Sequence, residues 1–111
     1  MTLPEEGRRL KIYVGETDRY GQTPLYEWIV ARAREAGLAG ASVVRGIVGF
    51  GAHSRIHTTK ILRLSEDLPV IVEIVDTPDK IDAFLDGIDG VIREGLATIE
   101  TVQIQFYRSR E

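Results

Sequence analysis

Two consecutive strand–helix–strand patterns in this sequence of 111 residues predict an α+β domain. Each pattern starts with a predicted strand and continues into a helical segment that opens on a Thr-Pro pair. Two such units joined through an antiparallel pair form a ferredoxin-like βαββαβ sandwich. We therefore expect a four-stranded antiparallel sheet with two helices on one of its faces.

The first unit is predicted after a disordered lead of residues 1–9, and residues 10–111 are expected to form a single domain. Apolar residues alternate with others from Leu10 to Val14, which is the period of a half-buried strand. Thr23 has the side chain of a helix N-cap, and Pro24 suits the first helical position. Apolar residues then recur at helical spacing up to Gly37, the predicted C-terminal cap.

The second unit is preceded by a strand and a loop. Residues 41–48 are predicted as the second strand, and a flexible loop is expected at about residues 51–60. The run Val70–Val75 is almost continuously β-branched, so it is predicted as a central strand. Thr77–Pro78 repeats the helix start, and the last strand is predicted over residues 99–107.

The composition and net charge of the chain argue against several classes of function. The chain has no cysteine, which excludes disulfides and cysteine nucleophiles and suits a reducing cytoplasm. Its net charge of −3 argues against general nucleic-acid binding. No apolar run reaches the roughly 20 residues that span a bilayer, so direct membrane insertion is not expected. No nucleophile–base pair, paired carboxylates or metal signature is present, so we predict a protein without catalytic residues.

A stretch without carboxylates is the main candidate for ligand binding. Between Glu35 and Glu66 the only charged or titratable side chains are Arg45, Arg55, Lys60, Arg63, His53 and His57. The glycines Gly46, Gly49 and Gly51 stand at the end of the predicted second strand. Glycine lets backbone N–H groups turn toward an anion, and nearby cations attract it. The alternative is a twisted strand end or a bulge beside a hairpin.

Three further positions are candidates. His53 and His57 are four residues apart and could bind a metal, but the stretch does not have a helical pattern and no carboxylate lies nearby, so two solvated loop histidines are the favoured interpretation. Glu73 is a carboxylate within an apolar strand, so we expect it to face solvent, a partner subunit or a ligand cleft. Arg93, before the last strand, is a further cation within possible reach of a phosphate.

The sequence resembles the PII signalling proteins over about residues 10–107. Residues 44–51 are similar to the Val-Lys-Gly-Phe-Gly motif that precedes the PII T-loop, and residues 68–75 to the strand that follows it. The closer resemblance is to a PII-like (GlnB-related) family catalogued as domain of unknown function one-ninety. Its typical motifs match residues 11–16, 45–51 and 65–76.

The resemblance implies a cytoplasmic, non-enzymatic regulator that forms a homotrimer. It implies clefts between subunits for a small anionic effector, most plausibly an adenine nucleotide, and a loop that contacts a partner protein such as a membrane transporter. The ligand-binding candidates are Arg45, Gly46, Gly49, Phe50, Gly51, Glu73 and Arg93. The candidates for the partner-facing loop are His53, Arg55, His57 and Lys60.

The sequence departs from the PII pattern at the positions of the residues that bind phosphate in PII proteins. Ile104 and Phe106 occupy the positions of two PII phosphate-binding arginines, and only Arg93 could replace the lysine of the turn before the last strand. Residues 52–63 contain no tyrosine, which excludes tyrosine nucleotidylylation there. Two alternatives remain: a metal-responsive trimer resembling the cation-tolerance proteins, with His53 and His57 as ligands, and an interaction scaffold without a small ligand.

Overall fold

A computed structural model describes residues 6–49 and 68–108 of the chain. The elements are β1 (Glu6–Gly15), β2 (Arg19–Tyr20), β3 (Thr23–Pro24), α1 (Leu25–Glu35), β4 (Ala41–Arg45), β5 (Pro69–Asp76), α2 (Pro78–Ile88) and β6 (Leu96–Gln103). The four longer strands form one sheet in the order β4-β5-β1-β6, and all neighbours are antiparallel. The predicted ferredoxin-like α+β fold is confirmed.

The hydrophobic core lies between one face of this sheet and the two helices. Alternate residues of β1 and β5 are buried, because side chains of a strand point to opposite faces in turn. The buried strand residues pack against the apolar stripes of α1 and α2: Leu10, Ile12, Val14, Val70, Val72 and Ile74 against Leu25, Ile29, Ala33, Ile81, Phe84 and Ile88. The opposite face, which we call the open face, is not covered by either helix of the described residues.

The start of α1 differs from the prediction. Thr23 and Pro24 pair with Tyr20 and Arg19 in a short hairpin, and the N-cap residue Pro24 provides no side-chain hydrogen bond. The Leu25 N–H instead donates to the Asp18 carbonyl at 2.8 Å. The prediction of Thr23 as the cap was wrong, because strand pairing in the hairpin takes the residue that would otherwise cap the helix.

The end of α1 was predicted correctly. Gly37 has a φ of +79°, and its N–H donates to the Arg34 carbonyl. The N–H of Leu38 donates to the Ala33 carbonyl, which completes the hydrogen-bond pattern of a Schellman motif. A residue with a Cβ is disfavoured at this positive φ, so the glycine is required by the turn.

Helix α2 begins as the Thr77–Pro78 pair predicts. The hydroxyl of Thr77 accepts a hydrogen bond from the Lys80 N–H at 3.3 Å, and Pro78 is the first helical residue. The predicted cap is therefore confirmed for the second of the two Thr-Pro pairs.

The two threonines make a matched pair for mutation. Thr77→Ala removes a cap and is expected to lower the free energy of unfolding by about 1 kcal/mol. Thr23→Ala removes no cap and is expected to change it by less than about 0.5 kcal/mol. Urea titration of both variants at one protein concentration measures the difference. Equal losses would show that the Thr77 hydroxyl does not stabilise α2.

Three strand boundaries differ from the prediction. Strand β1 begins at Glu6, so residues 6–9 belong to the sheet and not to a lead, because β6 pairs with all four of them and β5 pairs with Arg8 and Arg9. Strand β4 ends at Arg45 and not at Val48, since its described partner strand begins at Pro69. Strand β6 covers Leu96–Gln103 and not residues 99–107.

The segment after β6 crosses the end of the sheet instead of extending it. The side chain of Ile104 lies over Gly7, where an added Cβ would stand 2.6 Å from its Cδ1 atom. The Tyr107 hydroxyl donates to the Ala39 carbonyl at 3.0 Å, although Ala39 precedes β4 on the opposite side of the sheet. These contacts pull the chain away from the line of β6, which ends the strand.

Candidate functional site

Three connections converge at one end of the sheet, which we call the loop edge. Strand β1 ends there at Gly15, opposite Pro69 at the start of β5. Arg45 at the end of β4 pairs with Val70, and Leu96 at the start of β6 pairs with Tyr13. The connections from β1 to α1, from β4 to β5 and from α2 to β6 therefore all begin or end at this edge.

The glycines after β4 are explained by a close approach to Pro69. The Gly46 N–H donates to the Pro69 carbonyl at 2.7 Å, so this donor is already used within the sheet. A Cβ added at Gly46 or Gly49 would stand 2.7 or 2.9 Å from Pro69 Cγ. The structure thus gives both glycines a packing role at the loop edge, beside the ligand-binding role that the sequence suggests.

Arg45 forms an ion pair with Glu16, the first residue after β1. Its Nη2 atom lies 2.7 Å from Glu16 Oε2 and donates to Oε1 at 3.0 Å. The Glu16 side chain is 26% exposed, and its backbone N–H donates to the Leu68 carbonyl. The pair joins the end of β4 to the end of β1, so part of the charge of Arg45 is compensated before any ligand binds.

Arg93 lies in an open cleft of about 660 Å³ between the β2–β3 hairpin and the connection from α2 to β6. The lining residues come from both sides: Asp18, Arg19, Tyr20, Gly21, Leu25, Gly90, Val91, Arg93 and Glu94. The connection is held against β1 at Gly95, where an added Cβ would stand 2.6 Å from the Tyr13 carbonyl oxygen. Of the predicted ligand-binding residues that the structure describes, Arg93 is the one that lines this cleft.

The hairpin wall of the cleft was missed from the sequence, which predicts only a polar loop there. Asp18 organises it: its carboxylate Oδ2 accepts from the Gly15 N–H at 2.9 Å, and its N–H donates to the Gly15 carbonyl. Gly21, with a φ of +63°, and Gln22 form the two-residue turn. A glycine in a two-residue turn between potential strand residues is a known hairpin signal, and it was available in the sequence.

Glu73 lies on the open face, away from the loop edge. Its neighbours across the sheet are Lys11 and Ser42. It stands four residues from Pro69 along β5, which corresponds to about 13 Å. Within one chain the structure therefore does not bring Glu73 together with Gly46, Gly49 or Arg93.

The remaining predicted site residues lie outside the described residues: Phe50, Gly51, His53, Arg55, His57 and Lys60. The metal-binding alternative rests on two of these residues and stays a prediction. Within residues 6–49 and 68–108, no three His, Cys, Asp or Glu side chains are grouped so as to hold a metal ion. In the same ranges no helix has the length and apolar character needed to cross a membrane.

Sequence comparison identifies the family. Residues 7–104 match the family DUF190, described as "Uncharacterized ACR, COG1993". A UPF0166 protein of Aquifex aeolicus is 40% identical over 95 residues, which cover 86% of this chain and 90% of that protein. A UPF0166 protein of Methanocaldococcus jannaschii is 37% identical over 84 residues, covering 76% and 77% of the two chains.

Solved structures of similar fold include CPII, a nitrogen regulatory PII-like protein from Thiomonas intermedia K12. CPII bound to ADP and bicarbonate superposes with a TM-score of 0.67 at 16% identity, over 92% of this chain and 95% of CPII. CPII bound to ADP, AMP and bicarbonate gives a TM-score of 0.64 at 15% identity, over 89% and 88% of the two chains. The chain therefore belongs to the DUF190 (UPF0166) family and has the fold of the PII-like proteins.

Proposed function

We propose that this chain is a cytoplasmic, non-enzymatic PII-like regulator. It binds an adenine nucleotide at the loop edge, in clefts between the subunits of a homotrimer, and it regulates a partner protein through the segment of residues 51–60. The observation that carries the proposal is the convergence of three connections at the loop edge, with Arg45 and Arg93 both placed there. The same fold is bound to ADP in CPII.

The two arginines differ in their availability for a phosphate. Arg45 is engaged by Glu16, whereas Arg93 is exposed and makes no hydrogen bond or ion pair with any described residue. A guanidinium has five N–H donors and pairs well with phosphate oxygens. Arg93 is therefore the principal phosphate contact of the proposed site, and Arg45 contributes less because a ligand must compete with Glu16.

The open face supports assembly. The register aligns Val44, Ile71, Tyr13 and Leu96 in one row that crosses all four strands. We call these four residues the apolar row. Val44 and Leu96 are 47% and 57% exposed in the single chain. A contiguous apolar strip of this kind is typical of an interface, and the resemblance to PII proteins implies three copies around it.

The test is calorimetric titration with ADP, AMP and ATP. The wild-type chain is expected to bind at least one of them, and Arg93→Ala to weaken that binding by about 10- to 100-fold, the effect of losing a hydrogen bond to a charged group. Arg34→Ala is the control, because Arg34 is an exposed arginine of α1 outside the loop edge. Its affinity is expected to equal that of the wild type. Absence of binding for all three nucleotides would contradict the nucleotide part of the proposal.

A further inference from the structure

We infer that the cleft between the β2–β3 hairpin and the α2–β6 connection is the phosphate subsite of the nucleotide site, and that Arg19 is its second phosphate ligand. The inference rests on the proposed function. The sequence leaves open which residues bind the phosphate, since Ile104 and Phe106 carry no charge where PII proteins have phosphate-binding arginines. The hairpin supplies a replacement cation from a different element.

Two arginines from different elements line the same cleft. Arg19 stands on the hairpin wall and Arg93 on the wall formed by the α2–β6 connection. The volume of about 660 Å³ falls within the range typical of small-molecule sites. A phosphate between the walls would be bound from both sides, which neither arginine provides alone.

The cleft contains two arginines and two carboxylates, and the arginines have N–H donors to offer an anion. Among the described residues neither Arg19 nor Arg93 forms an ion pair, and Nη1 of Arg19 donates to the Gln22 carbonyl at 3.0 Å. Of the two carboxylates in the cleft, Asp18 accepts the Gly15 N–H, and Glu94 has an interaction of its own. The arginines therefore keep most of their N–H donors for a ligand.

Several contacts fix the position of the β2–β3 hairpin and therefore of Arg19. The hairpin contains a two-residue turn, and Asp18 fastens its base to the end of β1. The Tyr20 ring packs on Trp28 with ring centroids 4.8 Å apart and planes tilted by 40°. Arg32 of α1 in turn lies 5.9 Å from the Trp28 ring centre. A ligand group on a supported element loses less freedom on binding than one on an unsupported loop.

The other residues of the cleft indicate what the phosphate is attached to. Leu25 is buried, Val91 is half-buried, and Tyr20 is 49% exposed, so the cleft offers an apolar floor and an aromatic side chain next to the cations. This combination suits a phosphate ester that carries a flat organic group, which is the chemistry of a nucleotide. Inorganic pyrophosphate would contact only the arginines, and adenosine would contact only the apolar and aromatic residues of the cleft.

The experiment measures the affinity for ADP, pyrophosphate and adenosine in the wild type and in Arg19→Ala, Arg19→Lys and Arg34→Ala. Arg19→Ala is expected to weaken the binding of ADP and of pyrophosphate by about 10- to 100-fold and to leave the affinity for adenosine unchanged. Arg19→Lys keeps the charge without the planar fork, so a smaller loss is expected. Arg34→Ala is expected to behave as the wild type. Thermal melting confirms that each variant is folded.

The outcomes separate the inference from the proposed function. If the wild type binds ADP and Arg19→Ala binds it equally well, the inference is overturned while the proposed function stands. If the wild type binds pyrophosphate through Arg19 but no nucleotide, the anion subsite stands and the proposed effector is wrong. If the wild type binds neither ADP nor pyrophosphate, both are overturned.

Discussion

Asp76→Ala is expected to lower the free energy of unfolding by about 3 kcal/mol. Asp76 is fully buried at the end of β5, and each of its carboxylate oxygens accepts a backbone hydrogen bond. Oδ1 accepts from the Thr77 N–H at 2.6 Å and Oδ2 from the Ala39 N–H at 2.8 Å. The substitution removes both acceptors at once, which leaves two donors unpaired where α2 begins and where the chain enters β4.

Asp79→Ala is the matched control for this measurement. Asp79 is an exposed aspartate in the first turn of α2, so its loss removes only a favourable interaction with the helix dipole, worth below about 1 kcal/mol. Urea denaturation of both variants at one fixed protein concentration gives the two changes, since an oligomer's stability depends on concentration. A loss for Asp76→Ala no larger than for Asp79→Ala would contradict the structural role of the buried carboxylate.

Val44→Asp is expected to dissociate the proposed homotrimer. Val44 lies at the β4 end of the apolar row, and a carboxylate there would be buried without a partner in each subunit contact. An unpaired charge buried at an interface typically costs about 3 kcal/mol or more, which in a trimer applies at every contact. We expect the variant to elute as a monomer in size-exclusion chromatography with light scattering at a concentration where the wild type is assembled.

Arg34→Asp serves as the control for assembly. It also introduces a carboxylate at an exposed position, but on α1, which lies on the opposite side of the sheet from the apolar row. This variant is expected to keep the mass of the wild type. If Val44→Asp also keeps the wild-type mass, then the open face is not the interface and the shared-cleft arrangement has to be abandoned.

The fold could be predicted because its strongest signals are local. The alternation in β1 and the apolar stripe of α2 each left a period in the sequence, and the almost continuous β-branched run of β5 indicated a central strand. The Thr-Pro pairs show the limit of such signals. Thr77 caps its helix, whereas Thr23 is paired in a hairpin, and the two dipeptides are identical.

The site could be predicted only in part, because it is assembled from segments distant in sequence. Arg93 was identified by its charge and its position before the last strand, and it lines the cleft. Arg19, which we propose as a second ligand, was not among the predicted site residues, because it reaches the cleft through a hairpin that the sequence did not predict. Gly46 and Gly49 were attributed to a ligand, although their closest contacts are with Pro69, a partner 20 or more residues away.

Native mass spectrometry of the wild-type chain with excess ADP tests the central claim most directly. The account predicts an ion with the mass of three chains that carries up to three ADP molecules, one for each cleft between subunits. It also predicts that dissociating the trimer in the instrument weakens the retention of ADP, because the proposed clefts take residues from two subunits. A monomer, or a trimer that retains no ADP at any concentration tested, would contradict the account.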